Sequence, residues 1–369
     1  MTGPDPAPAA ATPETVATAP SSEGDAGFPS DSAVSPAAMG SDAAATPTTG
    51  AVKRVRRRRR LPRPIQVVVE WLQFTVAAFL LLASFLVPRR VIRWLGAALF
   101  GLLYRLDRRH RVVVKQNLVA AFGDATPKSE IERMARDTYR FFGMNLFEIL
   151  WLWRQSDETM LKHFHWHRLD RVHEAAAQGH GVIFGTSHYG FWEVQTFAMR
   201  PYCDRLSAVM RPLDNAFVNR LLVHMRQCSS AILFEKKGAL LGVMRALRQG
   251  YYAGLLIDQD GGKQGIAVPF FGQPVMMMDA VGQIAYKTRA PIVMCMPVRN
   301  REKLDRVEIL CSPVISADIS LGREAGARKM IEECNRFMEE VIRQYPEEYF
   351  WLHRRWKHGS PQVYERPVE

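Results

Sequence analysis

The stretch of this sequence richest in reactive side chains is residues 181–193, GVIFGTSHYGFWE. An apolar run, Val182 to Phe184, gives way to small and polar residues, then to His188 and a helix-compatible segment. Side chains that do chemistry are commonly carried on loops past strand ends. His188 and Glu193 are five residues apart. On one continuous helix that spacing turns them about 140° away from each other. They meet only if His188 sits in a turn and Glu193 in the first turn of the helix. The carboxylate would then hold one imidazole nitrogen and leave the other as a base. A histidine near an acid is also a common structural pair, and spacing alone leaves both readings open.

Other chemistries fail on spacing or stay ambiguous. A nucleophile elbow needs G-x-S-x-G; after Ser187 the glycine comes one place late, at Gly190, so Ser187 is a poor acyl-enzyme nucleophile. The metalloprotease pattern H-E-x-x-H is missing. Gly261, Gly262 and Lys263 resemble part of a phosphate loop, but G-x-x-x-x-G-K-[ST] is incomplete. His163, His165 and His167 alternate, so on a strand they share a face. That face is either a metal site or, more simply, an exposed strand edge. Asp258 and Asp260 follow the apolar run Ala253–Ile257 and precede two glycines. They can orient a base, bind a divalent ion, or merely form a turn. Arg211 and Arg226 offer planar multi-donor contacts to a phosphate or a developing oxyanion, or simply solvate the surface.

These residues need a scaffold. Short apolar runs at Gly181–Gly185, Leu206–Met210, Ala253–Ile257, Ile292–Pro297 and Val307–Leu310 read as strands. Helical patterns at 129–153, 191–200, 215–227, 238–249, 280–288 and 323–344 alternate with them. Ser129-x-x-Glu132 after Pro127 reads as a capping box. The alternation predicts an α/β sandwich, with helices flanking a central sheet.

The N-terminal part differs. Residues 1–52, rich in Ala, Pro, Ser and Thr, read as a disordered tail. Residues 1–50 carry six acids and no Lys or Arg, which leaves residues 51–369 at +18 against +12 for the whole chain. So basic a body suits an anionic partner. The polybasic segment, residues 53–64, stands directly before a hydrophobic stretch, where such runs hold the cytoplasmic side of a membrane anchor. Residues 65–87 make that stretch; its charge-free part, Trp71–Val87, is 17 residues, at the short end for a crossing, so it either spans or dips in and returns. Trp94–Tyr104 reads as an amphipathic helix at the interface, with Arg93, Arg105, Arg108 and Arg109 toward headgroups, or else as a buried core helix. Residues 65–106 thus form a membrane anchor and residues 107–369 a catalytic domain. Five cysteines, an odd number with no C-x-x-C spacing, argue against a disulfide framework or a cysteine zinc site.

The ordered set of His188-x4-Glu193, the MRPLDN run at 210–215, the IDQD run at 257–260, the VPFFG run at 268–272 and the closing YPEEYFWLHRRWK run at 345–357 resembles one family. It is that of the bacterial lipid A late acyltransferases (lauroyl and myristoyl transferases) within the lysophospholipid and glycerolipid acyltransferase superfamily. The YRLDRRHR run at 104–111 and QNL at 116–118 resemble its N-terminal region. The resemblance spans roughly residues 65–360. It implies a glycerolipid-acyltransferase-like fold, a mixed central sheet flanked by helices, in an inner-membrane enzyme, catalytic on the cytoplasmic face, that moves a fatty acyl chain from acyl carrier protein to a hydroxyl of a lipid A precursor. It implies His188 as general base, Glu193 as its partner, and Arg211, Arg226, Asp258 and Asp260 as binding or oxyanion residues. No acyl-enzyme, metal, cofactor or nucleic acid is implied. A basic face including Arg354, Arg355 and Lys357 beside Trp351 and Trp356 would suit the acidic donor and the anionic lipids.

Two alternatives stay open at the level of sequence. The acceptor is another lipid, such as a mannosylated phosphatidylinositol, a lysophospholipid or an amino-acid lipid. Or the chain is a non-enzymatic basic protein that binds membrane or nucleic acid through residues 53–60.

Overall fold

A computed structural model describes residues 62–203, 205–210, 212–213, 215–227, 229, 231–235 and 238–368. The expected tail and the basic run at 53–60 therefore lie outside the described residues. Four helices come first: α1 (Arg63–Ala83), α2 (Arg89–Leu106), α3 (Arg108–Phe122) and α4 (Lys128–Leu152). Next come α5 (Asp157–His163), β1 (Phe164–His167) and α6 (Asp170–Ala177). Strands and helices then alternate: β2 (Val182–Thr186), α7 (Val194–Met199), β3 (Leu206–Met210), α8 (Ala216–Gln227), β4 (Ile232–Glu235), α9 (Ala239–Arg248) and β5 (Tyr252–Leu256). A hairpin of β6 (Ile266–Phe270) and β7 (Gln273–Met277) precedes α10 (Ala280–Thr288), β8 (Ile292–Arg299), β9 (Val307–Cys311) and α11 (Gly322–Gln344).

Among the described residues, seven strands form one sheet in the order β1-β9-β8-β2-β5-β3-β4. The ladders are parallel except β8 against β9, so the sheet is mixed, as expected. β2 lies near the middle and is buried along its whole length. That explains its unbroken apolar start, since a strand covered on both faces has no polar alternation. One core cluster draws on α3, α4, α9, α10, α11 and the hairpin, and includes Leu118, Val243, Ile284 and Met330. The other draws on α5, α6 and α7 and includes Met160, Val172 and Phe197.

Two helix starts differ from the sequence reading. α4 begins at Lys128 after Pro127, with no side-chain cap, so Ser129 lies inside the helix. Glu132 is not a cap either: it accepts from the Tyr104 hydroxyl at 2.5 Å and pairs with Lys115. α7 begins at Val194 rather than Phe191, because residues 188–193 are spent on a turn.

α1 contains one 20-residue stretch, Pro64–Ala83, long and apolar enough to cross a membrane, with mean hydropathy 1.9. It touches α8 through Trp71 and Phe217, whose ring centres are 4.8 Å apart. α2 is amphipathic in an inverted sense. Its outer stripe, Val91, Trp94, Leu95, Leu99, Leu102 and Leu106, is exposed. Its inner stripe, Ile92, Arg93, Gly96 and Tyr104, is buried, and the helix packs along α4. At the crossing, a Cβ on Gly96 would lie 2.3 Å from the Gly143 carbonyl oxygen, so only glycine permits this approach. Arg93 does not face headgroups as expected. It is buried and donates to Glu148 at 3.3 Å, together with Arg89 and Arg299. A carboxylate fully buried on α4 needs such partners.

Candidate active site

Register explains why two distant segments meet. β2 pairs with β5 in parallel, with Thr186 opposite Leu256. The Ile257 N–H donates to the Thr186 carbonyl at 2.9 Å, which extends the alignment past the strand ends. His188 and Asp258 each stand two residues beyond that matched pair, so they emerge at the same height. The Asp258 carboxylate grips the histidine twice. One oxygen lies 2.8 Å from Nδ1, and the other accepts the His188 backbone N–H at 2.9 Å.

Asp258 is almost wholly buried, and burial opposes its charge. The His188 ring and N–H outweigh that and hold its carboxyl below the usual range. For His188, burial works to lower the pKa, but the Asp258 charge and hydrogen bond prevail and leave it above the ordinary imidazole value. With Nδ1 committed to the carboxylate, Nε2 is the nitrogen left for acid–base work.

Glu193 does not hold the imidazole. Its carboxylate is clasped by Arg226, with Nε donating at 3.1 Å and Nη2 at 2.6 Å. The expected His188–Glu193 contact is thus replaced by His188–Asp258. The physical reason lies in the turn at 188–193. It delays α7 and aims Glu193 toward the C-terminal end of α8, where the guanidinium stands. Asp260 also goes elsewhere, pairing with Nδ1 of His358 at 2.5 Å. Arg211 lies outside the described residues. The three alternating histidines have separate partners: His163 with Asp305, His165 with the Lys162 carbonyl, and His167 with Glu308. His165 and His167 sit on β1, an edge strand, while His163 closes α5 and so does not share the strand face.

The loop is fixed from behind by a segment that sequence reasoning quoted but gave no role in the site. The Gly190 N–H donates to the Glu348 carbonyl at 2.8 Å, and the Phe350 N–H donates to the His188 carbonyl at 2.9 Å. A Cβ on Gly190 would fall 1.9 Å from the Pro297 carbonyl oxygen, at a backbone φ of +52°. The expected basic face is only partly there. Arg354 and Lys357 are exposed, but Arg355, Trp351 and Trp356 are buried. These large side chains pack in the core because the segment runs under the loop rather than over the surface.

Rings surround the imidazole. Trp192 lies 5.5 Å from it between centres, His353 5.1 Å and Phe350 6.2 Å. Beside Glu193 and Arg226 a cavity of about 90 Å³ opens, walled by Trp192, Ala208, Met210, Leu233 and Leu256. The motif at 345–357 marked His353 and Phe350 in the sequence, but nothing in its spacing said they would face His188.

The arrangement is a buried carboxylate, an oriented imidazole and an apolar recess, placed beyond the ends of parallel strands. The sequence profile of the family described as bacterial lipid A biosynthesis acyltransferase matches residues 62–358. The chain belongs to that family. It is 26% identical over 286 residues to the lipid A biosynthesis lauroyltransferase of Escherichia coli K12, covering 75% of this chain and 90% of that one. It is 23% identical over 271 residues to the palmitoleoyltransferase of the same organism, covering 73% and 86%. With a lipid A biosynthesis acyltransferase of Haemophilus influenzae it shares 24% over 310 residues, covering 76% and 96%. The chain is therefore a lipid A acyltransferase by family, and Gly190, His188 and Asp258 all fall inside the matched region.

Proposed function

We propose that the chain transfers a fatty acyl group from the thioester of acyl carrier protein to a hydroxyl of a lipid A precursor, with His188 as general base. The observation that carries this reading is the double grip of Asp258 on His188, which engages Nδ1 and leaves Nε2 as the nitrogen for acid–base work on a ring lined by Trp192, Phe350 and His353. As the hydroxyl oxygen attacks the thioester carbonyl, Nε2 takes its proton. The Asp258 carboxylate stabilises the imidazolium so formed. The tetrahedral intermediate collapses with loss of the thiolate, which recovers the proton. Such general-base help is worth roughly 10²–10⁴-fold.

The Arg226–Glu193 clasp positions substrate beside the base, and the adjacent recess receives the start of the alkyl chain. In this reading Glu193 acts through Arg226 rather than on the imidazole. Arg211, which lies outside the described residues, is kept as a substrate-binding residue on the family resemblance alone. Residues 65–106 anchor the enzyme on the cytoplasmic face of the inner membrane, with α1 crossing and the outer stripe of α2 lying in the headgroup layer. Residues 107–369 carry the reaction.

The test is transfer from acyl carrier protein by full-length His188→Ala. A fall of at least about two orders of magnitude is expected, matching loss of a general base. An unaffected rate would end the proposal. Lipids of a deletion strain separate the acceptors: under-acylated lipid A is expected, and intact lipid A would transfer the activity to another lipid.

A further inference from the structure

His353 is the feature that the proposed mechanism leaves unused. It stands in the 345–357 run, and its ring centre is 5.1 Å from that of His188. The residue is exposed while its backbone is held on every side. Its carbonyl accepts from Nδ2 of Asn117 at 2.7 Å and from the Arg355 N–H at 2.9 Å. Asn117 is itself fully buried, donates to the Trp351 carbonyl at 2.6 Å and accepts from the Tyr364 hydroxyl at 2.9 Å. Tyr364 in turn accepts from the Trp356 N–H at 3.0 Å. Phe350 braces the ring edge to face at 4.6 Å. A buried polar network that ends by presenting one solvent-facing imidazole to another is a costly way to fill a surface.

Resting on the acyl-transfer reading above, we propose that His353 touches the substrate and donates a ring N–H to the thioester carbonyl oxygen as it becomes the oxyanion. The distances suit this. A hydroxyl sits about 2.8 Å from the base, the attacked carbon about 3 Å beyond it, and the carbonyl oxygen about 1.2 Å further. The His353 ring, its centre 5.1 Å from that of His188, lies within that span. A neutral imidazole is the form required, since it must donate without competing for the proton that His188 removes. The ring's surroundings favour neutrality. Packing lowers its pKa, and the charges on His188 and Arg355 lower it further, against the pull of Asp258.

The test measures kcat and donor KM of full-length His353→Ala, His353→Gln and His353→Phe with acyl carrier protein thioester, alongside thermal melting. His353→Ala should lose about 10²–10³-fold in kcat, the usual cost of one oxyanion donor, with KM changed less than threefold. His353→Gln, which keeps an N–H, should recover at least a tenth of the parent rate. His353→Phe, which keeps the packing, should not. Recovery by Phe instead of Gln would make the residue a packing element and overturn the proposal, as would His353→Ala within threefold of the parent. A 4-nitrothiophenyl ester of the same acid separates a rival role, because its thiolate leaves without a proton. The loss should persist with it; if the loss vanishes, His353 serves the leaving group and the oxyanion role is refuted. His188→Ala is run in parallel. Retained activity there overturns the acyl-transfer reading itself, whereas an inactive His188→Ala with a normal His353→Ala overturns only this inference.

Discussion

Replacing Asp258 with Asn tests the charge and the tautomer while keeping the shape. In the parent, the two carboxylate oxygens accept from the His188 N–H at 2.9 Å and from Nδ1 at 2.8 Å. An amide has one acceptor and one donor end. Turning its NH2 toward the backbone N–H would strand a buried donor, at a cost of about 1–3 kcal/mol. The other orientation puts NH2 against Nδ1, which must then accept. The ring proton moves to Nε2, and the base is blocked. In the Ser-His-Asp template the equivalent change costs about 10⁴-fold in kcat. The proposed mechanism has no acyl-enzyme step, so we expect a fall in kcat/KM of about 10²–10⁴-fold. The pH profile should also shift. Asp258 raises the His188 pKa, so its loss moves the acid limb toward lower pH. Glu193→Gln should move that limb less, because Glu193 acts on the ring only through space. Initial rates from acyl carrier protein across pH 5–9, with melting curves for both variants, decide the matter. A rate within threefold of the parent's would remove Asp258 from the mechanism.

Two further changes probe the scaffold. Burial pushes the Glu348 carboxyl up to about 8 from its ordinary 4.5, so the folded state holds a proton that the unfolded chain releases. Stability at this group is therefore full below pH 4.5 and falls as pH rises toward 8. Glu348→Gln, neutral throughout, should gain in melting temperature relative to the parent between pH 6 and pH 9; a constant difference refutes the shift. Gly190→Ala would drive a methyl into the Pro297 carbonyl at positive φ. It should lower the urea midpoint by the equivalent of at least about 2 kcal/mol and abolish transfer. An unchanged midpoint would show that the loop relaxes freely.

Much of the scaffold was legible because buried strands announce themselves. β3 and α10 match the sequence reading to the residue, and the other anticipated strands differ by one or two positions. β4 escaped because it is a four-residue edge strand with a half-exposed pattern. The hairpin escaped because its turn uses Phe271 at φ +49° before Gly272, a left-handed pair that aromatic sequence disguises. Within the site, His188 was legible from its place after an apolar run. Its partner was not, because the contact depends on strand order, which sets β5 beside β2 although 65 residues of chain lie between the end of one at Thr186 and the start of the other at Tyr252. Arg93 was misread for a related reason: an arginine on an apolar helix looks interfacial until a buried glutamate appears opposite it.

The backbone-to-backbone crossing of α2 on α4 has a practical consequence for handling the enzyme. Cutting the chain before Pro88 removes the long apolar helix yet leaves the outer leucines of α2 bare. Cutting after Leu106 strips Arg89 and Arg93 from Glu148 and strands that carboxylate beside Arg299 alone. We therefore expect either trimmed chain to need detergent, one to cover the apolar stripe of α2 and the other because its buried charge has lost two of three partners.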